Sequence, residues 1–257
     1  MTAAFALRGV GVRHGEAWTL RDVDLEVQPG EHVALIGPSG AGKTTLLALL
    51  NGLGSPSAGT VETLGCELAR APERRRRAVR ARVGTVHQGL HLVDRLAVVH
   101  NVSAGRLGAW PLWRAALSLA VPQETGEARA ALEHVGLADR LWERTDRLSG
   151  GERQRVAVAR VLAQRPEAVL ADEPTASLDR PRGREVLALL RTAGGPGTAL
   201  VVSLHDVDLA LECFPRIVAL LDGRVVFDGT PAQVPRDVLV RAGRSATGAP
   251  EVAGVTA

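Results

Sequence analysis

The pattern of apolar and polar positions alternates between strand-like and helix-like segments. Residues 6–12 and 20–27 alternate apolar and polar side chains, which predicts two antiparallel strands near the N-terminus. Short apolar runs predict buried strands at 33–36, 83–88, 168–171 and 199–204. Residues 217–221 and 225–227 flank Asp222-Gly223, as in a hairpin with a two-residue turn.

Helix signals lie between these strands. Residues 43–50 predict a helix that ends at Asn51-Gly52. A longer helix is predicted from Ser149 to about Gln164, stopping before Pro166. Further helices are predicted at 74–82, 127–136, 182–191 and 207–213, with a last short helix capped by Thr230-Pro231.

This alternation predicts an α/β fold with a mostly parallel central sheet covered on both faces. We expect the first two strands to form an N-terminal antiparallel β-subdomain. Residues 89–147 have helical periodicity and few β-branched runs, which we interpret as an inserted α-helical subdomain. We expect one domain over 1–241 and a flexible C-terminal tail over 242–257, where Gly, Ala, Ser, Thr and Val follow no clear pattern.

Composition narrows the possible functions. The two cysteines, Cys66 and Cys213, lie far apart in no CxxC pattern, which argues against a disulfide framework or a zinc site and fits a reducing cytosol. No stretch approaches the ~20 apolar residues that span a bilayer, and the start of the chain does not resemble a secretory signal. A role at a membrane therefore requires docking to a spanning partner.

Charge is informative at one residue. The net charge is +3, and the arginine-rich segment 74–82 is interpreted as a solvated helix face rather than a nucleic-acid surface. Lys43 is the only lysine, whereas the other basic residues are arginine. That position therefore has a specific need for an ammonium group.

A phosphate-binding motif surrounds this lysine. The pattern GxxxxGK[ST] is matched in full by Gly37, Pro38, Ser39, Gly40, Ala41, Gly42, Lys43 and Thr44, followed by Thr45. A strand precedes it and a helix follows, as in P-loop NTPases. The loop backbone and helix N-terminus would cradle the phosphates of ATP, Lys43 would reach the β- and γ-phosphates, and the Thr44 hydroxyl would bind Mg²⁺.

Two later segments complete the predicted site. The strand at 168–171 ends in Asp172, which is placed to hold Mg²⁺, and Glu173, which is placed to polarise the attacking water. Ser149 and Glu152 have capping-box spacing, but a cap does not explain Gly150 and Gly151, which lower helix stability. We interpret this segment as a second phosphate-binding surface, so that two chains share each nucleotide.

Here the sequence resembles the ABC ATPases. The segment LSGGERQ at 148–154 is similar to the signature of that family, and the family's other motifs follow in order over roughly residues 5–235. The resemblance implies that Gln88 contacts the γ-phosphate side, the metal and the membrane partner. It also implies that His205 contacts the γ-phosphate and that Ser177, Leu178 and Asp179 cross a homodimer interface.

The resemblance further implies a place in the cell. Two chains would sandwich two ATP molecules at the cytoplasmic face of the membrane, where the helical insert beside Gln88 receives transmembrane permease subunits. A periplasmic or lipoprotein solute-binding protein would act indirectly, and nucleic acid is not an expected partner. The family usually stacks an aromatic ring on adenine; the aligned position is His14, with Trp18 as an alternative and contact by neither as another.

Cargo is indicated only by resemblance. Three stretches, at 91–96 with 101–102, at 104–108 and at 202–211, are similar to ATP-binding subunits of phosphonate importers. Importers of phosphate, phosphite or other small anions, and of methionine or amino acids, stay open. So does an efflux subunit, because a separate ATPase chain does not fix direction. A non-transport ABC ATPase is less favoured because no coiled-coil insert or zinc motif is visible, and a GTPase because NKxD is absent.

Overall fold

A computed structural model of the chain describes residues 2–176 and 178–243. Ser177 and most of the predicted tail, residues 244–257, lie outside the described residues. The division into a domain over 1–241 and a tail therefore stays a prediction.

The N-terminal subdomain is an antiparallel sheet of four strands. Its order is β2-β1-β4-β5, and its strands are β1 (Phe5–His14), β2 (Ala17–Val27), β4 (Ala58–Thr63) and β5 (Cys66–Glu67). The first two strands were predicted from their alternation. The sequence prediction contained neither β4 nor β5.

The central sheet has six strands in the order β10-β9-β3-β8-β7-β6. They are β3 (His32–Ile36), β6 (Val83–Val86), β7 (Ala168–Asp172), β8 (Ala199–Ser203), β9 (Arg216–Leu221) and β10 (Arg224–Gly229). All neighbours are parallel except the hairpin β9–β10, where Leu221 pairs with Arg224 across the predicted two-residue turn. The predicted mostly parallel sheet is confirmed.

Nine α-helices are found in the described residues. They are α1 (Lys43–Leu50), α2 (Glu73–Arg80), α3 (Val98–Ser103), α4 (Leu112–Ala120), α5 (Thr125–His134), α6 (Gly150–Gln164), α7 (Arg180–Arg191), α8 (Val207–Cys213) and α9 (Arg236–Arg241). Helices α3 to α5 form the predicted helical insert, and α3 and α5 pack on α6. None of the helices in the described ranges is long and apolar enough to cross a membrane.

The central strands are apolar on both faces because each face has its own core. Successive residues of a strand point to opposite sides of the sheet. Ile36, Ala171 and Val202 belong to the core shared with α6, α7 and α8. Leu35 and Leu170 belong to the core shared with α1 and the antiparallel sheet. Because β3, β6, β7 and β8 are parallel, their carboxyl ends lie at one edge of the sheet, where ligands of such folds bind.

Candidate nucleotide site

The phosphate loop joins β3 to α1 at that edge. Gly42 is the residue before α1 and has φ +103°, which favours glycine. A Cβ atom at Gly42 would lie 2.6 Å from a methyl carbon of Leu20 and 2.9 Å from the Thr19 carbonyl oxygen. The motif therefore needs glycine here both for its backbone angle and for its close contact with β2.

Lys43 begins α1 and is only 5% exposed. Its Nζ donates hydrogen bonds to the carbonyl oxygens of Gly37 at 2.7 Å and Pro38 at 3.1 Å. Burial lowers the pKa of this ammonium group, while the negative charges of Glu173 and Asp172 oppose that shift. The ammonium group is thus held inside the loop that would receive the phosphates.

A cavity of about 310 Å³ opens at the loop. Its walls are formed by residues 39–45 of the loop and first helix turn, by Thr19, and by Gln88, Glu173 and His205. These last three follow β6, β7 and β8, respectively. The fold therefore brings the three predicted catalytic side chains to one cavity with the phosphate loop, although Gln88 and His205 are 117 positions apart in the sequence.

A serine that the sequence prediction did not assign to the site holds the two carboxylate residues. Ser203 Oγ donates to Asp172 Oδ1 at 2.6 Å and accepts from the Glu173 backbone N–H at 2.9 Å. Asp172 is buried at the end of β7, and Glu173 has a left-handed backbone with φ +46°. Asp172 and Ser203 are paired on adjacent strands, so the contact depends on the strand register and no local sequence pattern marks it.

Gln88 contacts the predicted general base directly. Its Nε2 donates to Glu173 Oε2 at 3.1 Å. This contact links the loop after β6 to the carboxylate that would act on water. The predicted metal ligands Thr44, Asp172 and Gln88 carry the hard oxygen donors that Mg²⁺ prefers. No cluster of three or more His, Cys, Asp or Glu side chains able to hold a metal occurs in residues 2–176 and 178–243, and a site completed by phosphates and water needs none.

The second glycine-rich segment forms a separate cavity. The predicted capping box is present: Ser149 Oγ accepts from the Glu152 backbone N–H at 3.3 Å, and the Ser149 N–H donates to Glu152 Oε2 at 2.8 Å. A Cβ atom at Gly150 or Gly151 would meet nothing within 4 Å. Neither this chain's packing nor the cap therefore requires these two glycines.

This second cavity, of about 450 Å³, is lined by Ser149, Gly150, Gly151 and Leu178 among others, and it shares no lining residue with the nucleotide cavity. Asp179 precedes α7 and is exposed, with its carboxylate 3.9 Å from Arg182 Nε. Within one chain, the structure does not bring the signature segment or Asp179 to the phosphate loop.

The predicted adenine contacts lie where β1 turns into β2: His14 ends β1, and Trp18 is near the start of β2. His14 is exposed and does not line the nucleotide cavity, but its Nδ1 is 3.0 Å from the hydroxyl of Thr19, which does. Trp18 is 39% exposed, and its ring lies over the Gly11 backbone, where a Cβ atom would be 2.7 Å away. Contact of either ring with a base stays a prediction.

The fold and the loop geometry define an α/β protein of the P-loop nucleotide-binding class. A family model described as "ABC transporter" matches residues 20–176, which is more than half of the chain. The chain belongs to the ABC transporter family and is one of its ATP-binding proteins. This confirms the family resemblance of the LSGGERQ segment.

Two relatives and one solved structure place the chain within that family. It is 51% identical to a phosphonates import ATP-binding protein of Anaeromyxobacter dehalogenans, over 88% of this chain but only 45% of that protein. It is 48% identical to one of Pseudomonas aeruginosa, over 92% of this chain and 89% of that protein. A dimeric ATP-binding cassette in a post-hydrolysis state with ADP and Pi is similar in structure, with TM-score 0.74 and 29% identity over 88% of this chain and 98% of that one.

Proposed function

We propose that the chain is the ATP-hydrolysing subunit of an ABC importer whose cargo is a phosphonate. The observation that carries the ATPase assignment is the convergence of Gln88, Glu173 and His205 on the cavity of the phosphate loop. The names of the Anaeromyxobacter and Pseudomonas relatives support the cargo.

Each residue of the site has its own role in ATP binding or hydrolysis. The loop backbone and Lys43 bind the phosphates, and His205 contacts the γ-phosphate. Glu173 accepts the proton of the attacking water as general base. Thr44, Asp172 and Gln88 would hold a Mg²⁺ ion that arrives with ATP, and such an ion would neutralise negative charge on the phosphates. Ser203 keeps Asp172 and the Glu173 backbone in register for these roles.

A second copy of the chain completes each ATP-binding site. Gly150 and Gly151 open onto a cavity with no part in this chain's own nucleotide site. A head-to-tail homodimer would place Ser149, these two glycines and Asp179 against the partner's nucleotide. The dimeric cassette with ADP and Pi supports this arrangement.

The importer role requires partners on the membrane. Permease subunits would bind the ATPase pair at the cytoplasmic face, and a solute-binding protein would deliver cargo to the permease without contacting this chain. Nucleic acid is not among the proposed partners.

The mechanism is tested by Glu173→Gln in the purified chain. We expect ATP turnover to fall by about 10²–10⁴-fold, because the general base is lost. A dimer should persist on size-exclusion chromatography with Mg-ATP. Glu62→Gln is the matched control: it removes the negative charge of a partly exposed carboxylate on β4 that pairs with Arg8, away from the nucleotide cavity. Unchanged turnover in Glu173→Gln with no ATP-dependent dimer would refute the proposed chemistry.

The cargo is tested by uptake of a radiolabelled alkylphosphonate into cells that carry the complete transporter. Uptake should require an intact Glu173 and resist competition by phosphate and phosphite. Efficient competition by either anion would reassign the cargo. If the transporter accelerated the loss of preloaded phosphonate from cells, the assigned direction would be wrong and the transporter would be an exporter.

A further inference from the structure

Helix α4 has its polarity reversed relative to a helix that packs on a core. Its two polar side chains, Arg114 and Ser118, are directed toward the protein. Ser118 is buried, and Arg114 Nη2 donates to Glu124 Oε1 at 2.7 Å. The guanidinium of Arg114 also lies over the ring of Trp110, 4.8 Å from its centroid. The polar groups of α4 are therefore occupied by contacts within the chain.

Large apolar side chains of the same helix are exposed instead. Leu112 is 73% exposed and Trp113 is 69% exposed. Leu117 is also exposed, and it shares one side of the helix with them because an α-helix has 3.6 residues per turn. Exposed Val121 follows directly after α4. We call these four residues the α4 apolar face. Contiguous apolar surface of this kind marks an interaction site in a soluble protein.

An excess of positive charge is found on α2. This helix has five arginines and one glutamate, a net charge of +4. The glutamate, Glu73, already pairs with two of the arginines. The other three are exposed and make no ion pair within the part of the chain that the structure describes: Arg74, Arg75 and Arg77. Helix α2 therefore offers positive charge to an external anionic partner.

Helix α2 and the start of α4 adjoin each other. A Cβ atom at Gly108 would lie 3.1 Å from the Cβ atom of Ala81. Ala81 follows the last residue of α2, and Gly108 stands four residues before α4. Since α2 has eight residues, its arginines lie within about 12 Å of this contact along the helix axis. The charge and the apolar face can therefore meet one extended partner.

This combination suits an anionic lipid surface. Helices that lie in the membrane interface combine Trp and Leu on the buried side with nearby basic residues. Indole rings are suited to the headgroup level, where one part of the ring is apolar and the other is wet. Acidic phospholipids attract arginines close to the surface. Leu112 and Trp113 project into solvent, and a deformable lipid layer can receive projecting side chains without a matching pocket.

We infer that the α4 apolar face enters the headgroup layer of an anionic membrane, and that the three free arginines of α2 attract the lipid phosphates. The chain then contacts lipid itself, in addition to the permease proposed above. This inference goes beyond the proposed function, because it requires neither the cargo nor ATP hydrolysis.

The first test is flotation of the purified full chain with phosphatidylcholine vesicles that contain or lack about 30 mol% phosphatidylglycerol. Wild type should float with the anionic vesicles, and Trp113→Ser should weaken binding by at least about tenfold, because a large apolar side chain no longer leaves water. Trp142→Ser is the matched control, since Trp142 is 64% exposed and lies outside α4. Equal binding by the two variants would overturn the inference, as would wild type that does not float.

The charge is tested by the double variant Arg74→Gln with Arg75→Gln. Binding to anionic vesicles should weaken by about 20-fold, since each arginine near the surface contributes about fivefold. The control is Arg224→Gln with Arg236→Gln, which removes the same charge at two exposed positions. Arg224 is on β10, at the opposite edge of the central sheet from β6. An equal loss in the two double variants would assign the attraction to net charge and contradict a role for α2.

Insertion of the ring is tested by brominated phospholipids, which quench the fluorescence of tryptophans that enter the bilayer. The chain has four tryptophans. Trp113→Phe should keep most of the binding, because it retains an apolar ring, but should lose most of the quenching. Quenching equal to that of wild type would place a different tryptophan in the lipid and overturn the inference.

Two other occupants of the face would also contradict the inference. If wild type ignores vesicles and Trp113→Ser lowers recovery of the permease complex in detergent, the face binds protein. If wild type self-associates without ATP and Trp113→Ser disperses it, the occupant is a second copy.

Basal ATP turnover separates this inference from the proposed function. It should be equal in wild type, Trp113→Ser and Trp142→Ser. An active ATPase that does not bind vesicles would overturn the lipid contact alone. Vesicle binding that depends on Trp113 in a chain without ATP turnover would support the lipid contact and contradict the proposed function.

Discussion

At the scale of single residues, Lys43 shows why one amine persists in a chain that otherwise uses arginine. Its Nζ reaches two carbonyl oxygens within the phosphate loop, 2.7 and 3.1 Å away, in a space that leaves the side chain 5% exposed. A planar guanidinium is larger and has fixed donor directions, so it does not fit the same contacts. The sequence therefore predicted the role of this residue from composition and motif together.

Lys43→Arg should consequently weaken ATP binding by at least about tenfold, the loss expected for one strong charged contact. Binding can be measured by fluorescence titration with an N-methylanthraniloyl ATP analogue. Arg75→Lys, on the exposed face of α2, is the control for a change between the two basic residue types. Wild-type affinity in Lys43→Arg would show that the ammonium group is not specifically required.

Ser203 is the residue-scale feature that sequence could not supply. Its hydroxyl is shared between Asp172 and the Glu173 backbone, and that contact exists only because β7 and β8 are neighbours in register. No local pattern distinguishes this serine from any other at a strand end.

Ser203→Ala should lower the free energy of unfolding by about 1–3 kcal/mol, because a buried carboxylate and an N–H lose a partner. ATP turnover should also fall, since Asp172 and Glu173 are no longer fixed. Urea denaturation and a turnover assay check the two effects. Thr192→Ala, which removes an exposed hydroxyl that donates to the Leu189 carbonyl oxygen at the end of α7, should change neither by a comparable amount.

At the scale of elements, local signals were sufficient for two helices: the phosphate-loop motif marks the start of α1, and a capping box marks the start of α6. Helix α1 was predicted with the bounds observed, and α6 follows Ser149 and ends at Gln164 as expected. Strand β4 was missed because its sequence, with Gly59 at φ +76°, favours a turn. It is a strand because β1 provides the pairing partner, with Phe5 opposite Thr63. That partner is distant in sequence and carries no local signal.

The start of α6 gives a prediction at this scale. Gly151→Ala should stabilise the isolated chain by up to about 1 kcal/mol, since alanine is the better helix former and its Cβ meets nothing. The same change should weaken the ATP-dependent dimer if a second chain's nucleotide occupies that space. Thermal unfolding and size-exclusion chromatography with Mg-ATP measure the two quantities.

Gly126→Ala is the matched control for this pair of effects. Gly126 also lies in the first turn of a helix, α5, with nothing within 4 Å of an added Cβ atom. It should give a similar gain in stability with an unchanged dimer. If both variants dimerise like wild type, the two glycines of the signature segment do not face a nucleotide.

At the scale of the whole molecule, the parallel sheet converts distant motifs into one site. The sequence predicted Gln88, Glu173 and His205 separately, and the order of β6, β7 and β8 at the sheet edge brings them to one cavity. The relation between this cavity and the Ser149 segment could not be derived from one chain, because the two remain apart in it. That the nucleotide cavity of one chain faces the Ser149 segment of another stays a prediction about the dimer.

His32 lies at the start of β3, at the end of the strand away from the phosphate loop, and it provides a test of how the stability of the whole fold depends on pH. Burial, and then the charge of Arg191, lower the pKa of this ring. As pH falls below about 6.5, the unfolded chain takes up this proton before the folded chain does. The free energy of unfolding should therefore decrease from pH 7.5 to 5.5. His32→Gln should make this decrease less steep, by an amount that corresponds to less than one proton taken up on unfolding. Urea unfolding at the two pH values measures it, with the exposed His134→Gln as control; an unchanged slope in His32→Gln would contradict the assignment.

The burial of the only lysine also makes the chain unusually selective toward lysine-directed reagents. A protease that cleaves after lysine has a single possible cut, inside the first turn of α1, and the native structure shields it. Cleavage into two fragments would therefore report openings of the fold that expose the start of α1, and bound nucleotide should slow it. Trypsin, by contrast, would also act at arginines over the whole surface.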